Sequence, residues 1–259
     1  MRSIKYLALV AAAAICMSAC STGSQPAETP VSTPALTGEL TVFAAASLTN
    51  VFTDIAKDFE NAHPGVTVQL QFDGSSALAT QILEGAKADV FASADQKNMD
   101  KVIDGGKATT SSIFTTNTLT LAVPQDNPAQ IASITDLLNP GVTTVMCAPE
   151  VPCGALALAV TQAAGVSVTA SSLEQNVSAV ATKVSLGEAD AGFVYTTDIA
   201  SSQGKLVDIG LPDQARAVAT TAYPIAMVEG AQVELAEAFI TYMKSDAQVK
   251  LTQAGFGAP

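Results

Sequence analysis

Short β-rich runs alternate with helical patterns along almost all of this chain after residue 38, and small residues stand at most of the switches. Residues 40–45, 66–72, 90–92 and 143–147 read as strands, and each gives way to apolar residues at helical spacing. After the first strand the helical positions are Leu48, Val51, Phe52, Ile55 and Phe59, with Ser47 placed to cap them. Such alternation builds an α/β fold, because a strand followed by a crossover helix packs back onto a mainly parallel sheet. Roughly 220 residues follow the N-terminal region, enough for one large or two smaller domains with real cores.

Four of the switches carry a chemical suggestion. Ala44-Ala45-Ala46-Ser47, Gly74-Ser75-Ser76, Val151-Pro152-Cys153-Gly154 and Glu174-Gln175-Asn176-Val177 each stand where an extended run meets a helix. Helix starts carry unpaired N–H groups and about half a positive charge, so several aimed at one point hold an anion without lysine or arginine. The charge balance favours that neutral solution. Removing residues 1–19 takes away Arg2 and Lys5 and no acidic residue, leaving 10 Lys+Arg against 24 Asp+Glu, a net −14. Nucleic acid and anionic membrane are poor partners for such a body, and its field opposes an incoming anion. Capture then rests on local dipoles.

Arg2 and Lys5 precede an apolar run over 6–17 that is too short to span a bilayer, the pattern of an export signal. It ends in Met17-Ser18-Ala19-Cys20, which resembles the bacterial lipoprotein signal with Cys20 as the lipidated mature N-terminus. Met17 departs from the leucine usual there, and ordinary secretion is the alternative. Residues 20–38 are rich in Ser, Thr, Pro and Gly, as a flexible tether requires. The mature body keeps only Cys147 and Cys153, six residues apart around two prolines. In an exported chain this pair is expected to form a disulfide, free thiols being the alternative. No metal cation site is expected, since the only histidine, His63, sits in a Pro64-Gly65 turn signature.

Further on, residues 117–124 read as a strand, 134–138 as a short helix, 154–164 and 176–186 as helices, 191–195 and 223–228 as strands, and 232–244 and 246–253 as closing helices. Gly85-Ala86-Lys87-Ala88-Asp89 and Gly187-Glu188-Ala189-Asp190 echo one another ahead of buried strands, which suggests two similar halves. Two lobes joined by crossing strands leave a ligand cleft at the strand ends. The expected division is 39–121 with 223–259 for the first lobe and 122–222 for the second.

The run Thr41-Val42-Phe43-Ala44-Ala45-Ala46-Ser47-Leu48-Thr49-Asn50 carries a family resemblance. With it, in order, go Gly74-Ser75-Ser76, Ala88-Asp89-Val90-Phe91-Ala92-Ser93-Ala94-Asp95, Pro149-Glu150-Val151-Pro152-Cys153-Gly154, Gly192-Phe193-Val194-Tyr195 and Tyr223-Pro224-Ile225-Ala226. This ordered set over 39–259 resembles the molybdate-binding proteins of bacterial ABC importers, the ModA family. The resemblance implies a two-lobed periplasmic-binding-protein fold of the class II type, each lobe a mainly parallel sheet flanked by helices. It also implies a monomer outside the cytoplasm that captures molybdate or tungstate by neutral hydrogen bonds and passes it to a membrane permease; with the signal ending at Cys20, the expected location is lipid-anchored on the membrane's outer face. It implies no enzymatic activity and no cofactor. Ser47 and Ser75 match serines giving hydroxyl and backbone donors, Cys153 and Val177 match backbone N–H donors, and Tyr195 matches a tyrosine whose phenol closes the site. Alanine often stands where Cys153 does; a backbone donor survives recruitment of its side chain into a disulfide.

The donor types make sense for such a guest. A dianion with no proton near neutral pH offers only acceptors, so N–H and O–H groups satisfy it and leave a protonated oxyanion with a donor unmatched. Sulfate passes that test but is smaller, and a rigid cage for the larger ion stretches its contacts. Binding of sulfate, phosphate or a metal ion is the nearer alternative. An exported hydrolase using Ser47 or Ser75 is the farther one, lacking a partnered base and a Gly-x-Ser-x-Gly elbow. Read plainly, Ser47 and Ser75 are helix caps, Val177 a helix residue, Tyr195 a strand-end aromatic, and Asp89 and Asp190 turn formers.

Overall fold

The computed structural model describes residues 35–259; the expected signal over 1–19, the lipidation site Cys20 and tether residues 21–34 lie outside the described residues. Strand β1 (Thr37–Ala45) passes through a 3-10 turn (Ala46–Leu48) into α1 (Thr49–Ala62), β2 (Gly65–Asp73) leads to α2 (Ser75–Leu83), and β3 (Val90–Ala92) to α3 (Gln96–Asp104). The long β4 (Ser112–Pro124) follows, then β5 (Thr144–Cys147), α4 (Pro152–Ala163), β6 (Ser172–Glu174), α5 (Val177–Ser185), β7 (Ala191–Tyr195), α6 (Thr196–Ser201), β8 (Leu206–Asp208) and α7 (Asp213–Arg216). Strand β9 (Thr220–Met227) and helices α8 (Val233–Lys244) and α9 (Gln248–Gln253) complete the chain.

The strands run in the order β2-β1-β3-β9-β4-β7-β5-β6, with β8 on the far end of β4. Pairs β1–β2, β1–β3, β5–β6 and β5–β7 are parallel, whereas β9 and β4 enter antiparallel to their neighbours. Each half is therefore a parallel unit closed by a crossing strand. Strand β4 belongs to both: Ser112–Thr118 pairs with β9 and Leu119–Ala122 with β7.

Burial follows the same division. Along β1, Leu40, Val42 and Ala44 pack with Phe52, Phe59, Phe114 and Phe239, while Phe43 faces the other way onto Leu78, Phe91 and Met99. A strand covered on both faces reads as a nearly continuous apolar run, which is how β1 is written. Phe59 meets Phe239 edge-on at 5.2 Å, and Phe52 meets Phe114 at 5.9 Å. Each such pair adds about 0.5–1.5 kcal/mol beyond its buried area. Leu235, Phe239, Met243 and Leu251 bring α8 and α9 into this first core. A separate core gathers Leu119, Leu121, Val145, Val160, Val180, Val184 and Phe193 between β4, β5, β7, α4 and α5.

Asp89 and Asp190 show the internal echo at atomic detail. Thr41 N–H donates to the Asp89 carboxylate at 2.7 Å and Thr143 N–H to that of Asp190 at 2.7 Å, each ahead of a buried strand. Thr37 and Gly38, given to the tether on composition, are paired with Gly65 and Val66 in β1. Their polarity hid a strand end that backbone pairing alone holds.

Candidate functional site

A small, nearly closed cavity lies where the two cores meet, at the ends of β1, β2, β5 and β7. Ser47, Ser75, Cys153, Val177 and Tyr195 all line it, as do Gly74, Val151 and Asn176. Among the described residues, none lining it is a lysine, arginine or histidine. A larger groove of about 500 Å³ on the first core carries Lys87, Asp89, Lys107 and Glu229. There Lys107 is paired with Glu229, and Asp89 is taken up by backbone N–H groups of Thr41 and Gln232.

Ser47 is not a helix cap. It sits inside the 3-10 turn, with Ala45 at the cap position and no side-chain cap bond, and its Oγ lies 2.8 Å from the Tyr223 hydroxyl. Ser75 is the first residue of α2, behind Gly74, and its Oγ accepts the Ala94 N–H at 2.9 Å. With one acceptor site filled from behind, the Ser75 hydroxyl keeps its proton for another partner. Val177 opens α5, and Cys153 follows Pro152 in the first turn of α4, so neither backbone N–H has an intrahelical partner. Proline at the first helical position wastes no donor. Asn176 caps α5 by accepting the Ala179 N–H at 3.0 Å, which leaves the Val177 N–H free of that duty.

Cys147 and Cys153 are joined in a disulfide that ties the end of β5 to the first turn of α4. The two segments press so closely that a Cβ at Gly154 would stand 2.0 Å from the Ala148 carbonyl oxygen. The Cys153 N–H is thereby held at the cavity wall by covalent and packing constraints together.

Tyr195 lines the cavity and is 1% exposed, and its hydroxyl has no protein hydrogen-bond partner. An unpartnered buried hydroxyl costs about 1–3 kcal/mol. Tyr223 is near enough to act on this phenol electrostatically, with ring centroids 6.1 Å apart, yet no hydrogen bond joins the two hydroxyls by distance and angle. Burial, then Tyr223, Asp95 and Asp198, push the Tyr195 phenol well above its usual range, so it stays a donor. Asp198 accepts the Tyr195 N–H at 2.9 Å at the start of α6. Burial pushes the Asp198 carboxyl up to about 7, with that N–H acting in the opposite direction, although the residue retains some exposure toward a neighbouring groove.

The cavity is closed by contacts between segments from the two cores. Asn176 Nδ2 donates to Asp73 Oδ1 at 3.0 Å, and Gly74 lies so near the Gln175 carbonyl that an added Cβ would stand 2.1 Å from its oxygen. Sequence reasoning missed Asp73, Asn176 as a bridging side chain, Asn117, Thr197, Asp198 and the Tyr223 hydroxyl. Asn117 did leave a signal: an amide amid the threonines of a β-rich run must find partners if it is buried, and it is 2% exposed.

A model of the bacterial extracellular solute-binding protein family matches residues 40–257. The molybdate-binding protein ModA of Mycobacterium tuberculosis H37Rv is 39% identical over 244 residues, covering 93% of this chain and 92% of that protein. Among solved structures, the periplasmic molybdate-binding protein of Azotobacter vinelandii superposes with a TM-score of 0.74 at 20% identity, over 85% of this chain and 99% of that one. The sulfate-binding protein SubI of M. tuberculosis H37Rv gives 0.73 at 18% identity, over 84% of this chain and 86% of that one. Backbone likeness thus establishes a fold shared by binders of different anions, and sequence identity has to separate them. On that identity, sustained over nearly the whole length, the chain belongs to the ModA family of bacterial extracellular solute-binding proteins.

Proposed function

We propose that this protein captures molybdate, and tungstate of nearly the same size, by neutral hydrogen bonds between its lobes and delivers it to the permease of an ABC importer. The observation that carries the reading is the convergence of Ser47, Ser75, Cys153, Val177 and Tyr195 on one cavity without a basic side chain. These five are the proposed ligand contacts. The unpartnered Tyr195 hydroxyl supports it, since a doubly charged acceptor is the guest that would repay its burial. The relative named for molybdate at 39% identity supports molybdate over sulfate.

In this reading the lobes are 39–121 with 223–259 and 122–222, extended at the start to Thr37 of β1, and the boundary falls within β4, whose pairing passes from β9 to β7 between Thr118 and Leu119. The protein acts as a monomer without a cofactor, outside the cytoplasm, held to the membrane's outer face by a lipid on Cys20 through a tether that ends before Thr37 of β1. A serine hydrolase is disfavoured, because His63 ends the fourteen-residue α1 that starts beside Ser47, about 20 Å of helix away. Thermal denaturation of the mature protein tests the proposal: micromolar molybdate raises the melting temperature and equimolar sulfate raises it much less. Equal shifts would refute selection by size, and no shift with either would remove the function.

A further inference from the structure

Behind Ser47 stands a buried chain of polar groups that the binding reading does not use. Asn117 accepts the Thr118 N–H on Oδ1 at 2.9 Å, which fixes which end of its amide is oxygen. Its Nδ2 therefore faces inward, donating to Thr197 Oγ1 at 2.8 Å and to the Tyr223 hydroxyl at 3.4 Å. The Tyr223 hydroxyl has one proton, and its remaining near partner is Ser47 Oγ at 2.8 Å. With Asn117 donating to the phenol oxygen, the phenol's own proton has Ser47 Oγ as the acceptor within hydrogen-bond distance. Ser47 Oγ then accepts from behind, and its own proton is directed to the cavity. Tyr223 is fully buried, and burial holds its phenol above the usual range, so the donor is never lost by ionisation.

We infer that Tyr223 and Asn117 are positioning residues that set the polarity of Ser47, making it an obligate donor and so excluding anions that carry a proton. An oxyanion with no proton meets a donor it needs. Hydrogen phosphate presents an O–H that needs an acceptor, and with the Ser47 proton turned to the cavity that contact offers a donor instead. Ser75, filled from behind by the Ala94 N–H, obeys the same logic with backbone in place of a relay. The inference rests on the oxyanion reading of the cavity and deepens it, from the presence of hydroxyls to the direction of their protons.

Tyr223→Phe tests it, because the ring keeps its edge contacts with Phe114, Tyr195 and Phe256 at 6.4, 6.1 and 5.8 Å and loses only the hydroxyl. Calorimetric titration at pH 7 with molybdate, with sulfate, and with inorganic phosphate as competitor reads the effect. Molybdate affinity falls about tenfold, sulfate falls in step because it too lacks a proton, and phosphate does not fall, so the molybdate-to-phosphate ratio narrows about tenfold. In a Ser47→Ala background the same substitution leaves that ratio unchanged, as required of a residue acting through Ser47. A parallel loss for all three anions, or an undiminished narrowing when Ser47 is already alanine, overturns the relay while leaving the binding function intact. Failure of the unaltered protein to bind molybdate overturns both.

Discussion

At the scale of single residues, the site trades stability for binding. Tyr195 buries a hydroxyl with no protein partner, so Tyr195→Phe should stabilise the unliganded protein by about 1–2 kcal/mol while weakening molybdate binding by about 1.5–3 kcal/mol. Urea denaturation with and without molybdate measures both, and a variant less stable without ligand would contradict the assignment. Asp198 adds a pH dependence. Its folded carboxyl, held up to about 7 by burial, keeps a proton that the unfolded chain gives up near its ordinary value of about 4. Its contribution to stability is complete below that value and is lost as pH rises through about 7. The charge that then appears beside Tyr195 also repels the anion. Asn at this position can still accept the Tyr195 N–H, so Asp198→Asn should flatten stability between about pH 4 and 7 and molybdate affinity between about pH 6 and 8, seen by denaturation and calorimetry across those ranges. A variant that retains the wild-type slopes would exclude Asp198 as their source.

At the scale of elements, closure depends on turns that have no room for a side chain. Gly74 has φ −59°, open to any residue, so glycine is required there for the Gln175 carbonyl that presses against it. Gly74→Ala should leave the two cores folded but hold the segments apart, at a cost of about 1–3 kcal/mol. That is about tenfold or more in molybdate affinity, with ligand-induced compaction lost in small-angle scattering. Unchanged compaction would show that the contact does not govern closure. Strands with apolar runs, such as β1, β3 and β7, were legible in the sequence, as was amphipathic α1, because burial on one or both faces writes a period into the residues. Short β6 and β8 and helices α6 and α7 were not, since three to six residues are too few to carry a period. The five cavity residues were legible through an ordered resemblance, whereas Asn117, Thr197 and the Tyr223 hydroxyl come together only through the pairing of β4 with β9 and the packing of α6 beside β4.

At the scale of the whole molecule, a chain with net charge −14 after residue 19 holds an anion against its own long-range field. The account assigns that work to helix starts and hydroxyls brought to one cavity by two cores that share β4. Selectivity then follows from which atoms carry protons and from the size of a cage closed by Asp73, Asn176, Gly74 and Gln175. The most direct test is a crystal structure of the molybdate complex, with molybdenum located by its anomalous scattering. The account predicts molybdate in the cavity with oxygens about 2.7–3.1 Å from Ser47 Oγ, Ser75 Oγ, Tyr195 Oη and the backbone nitrogens of Cys153 and Val177. Molybdate bound outside that cavity, or held by lysine or arginine side chains, would contradict it.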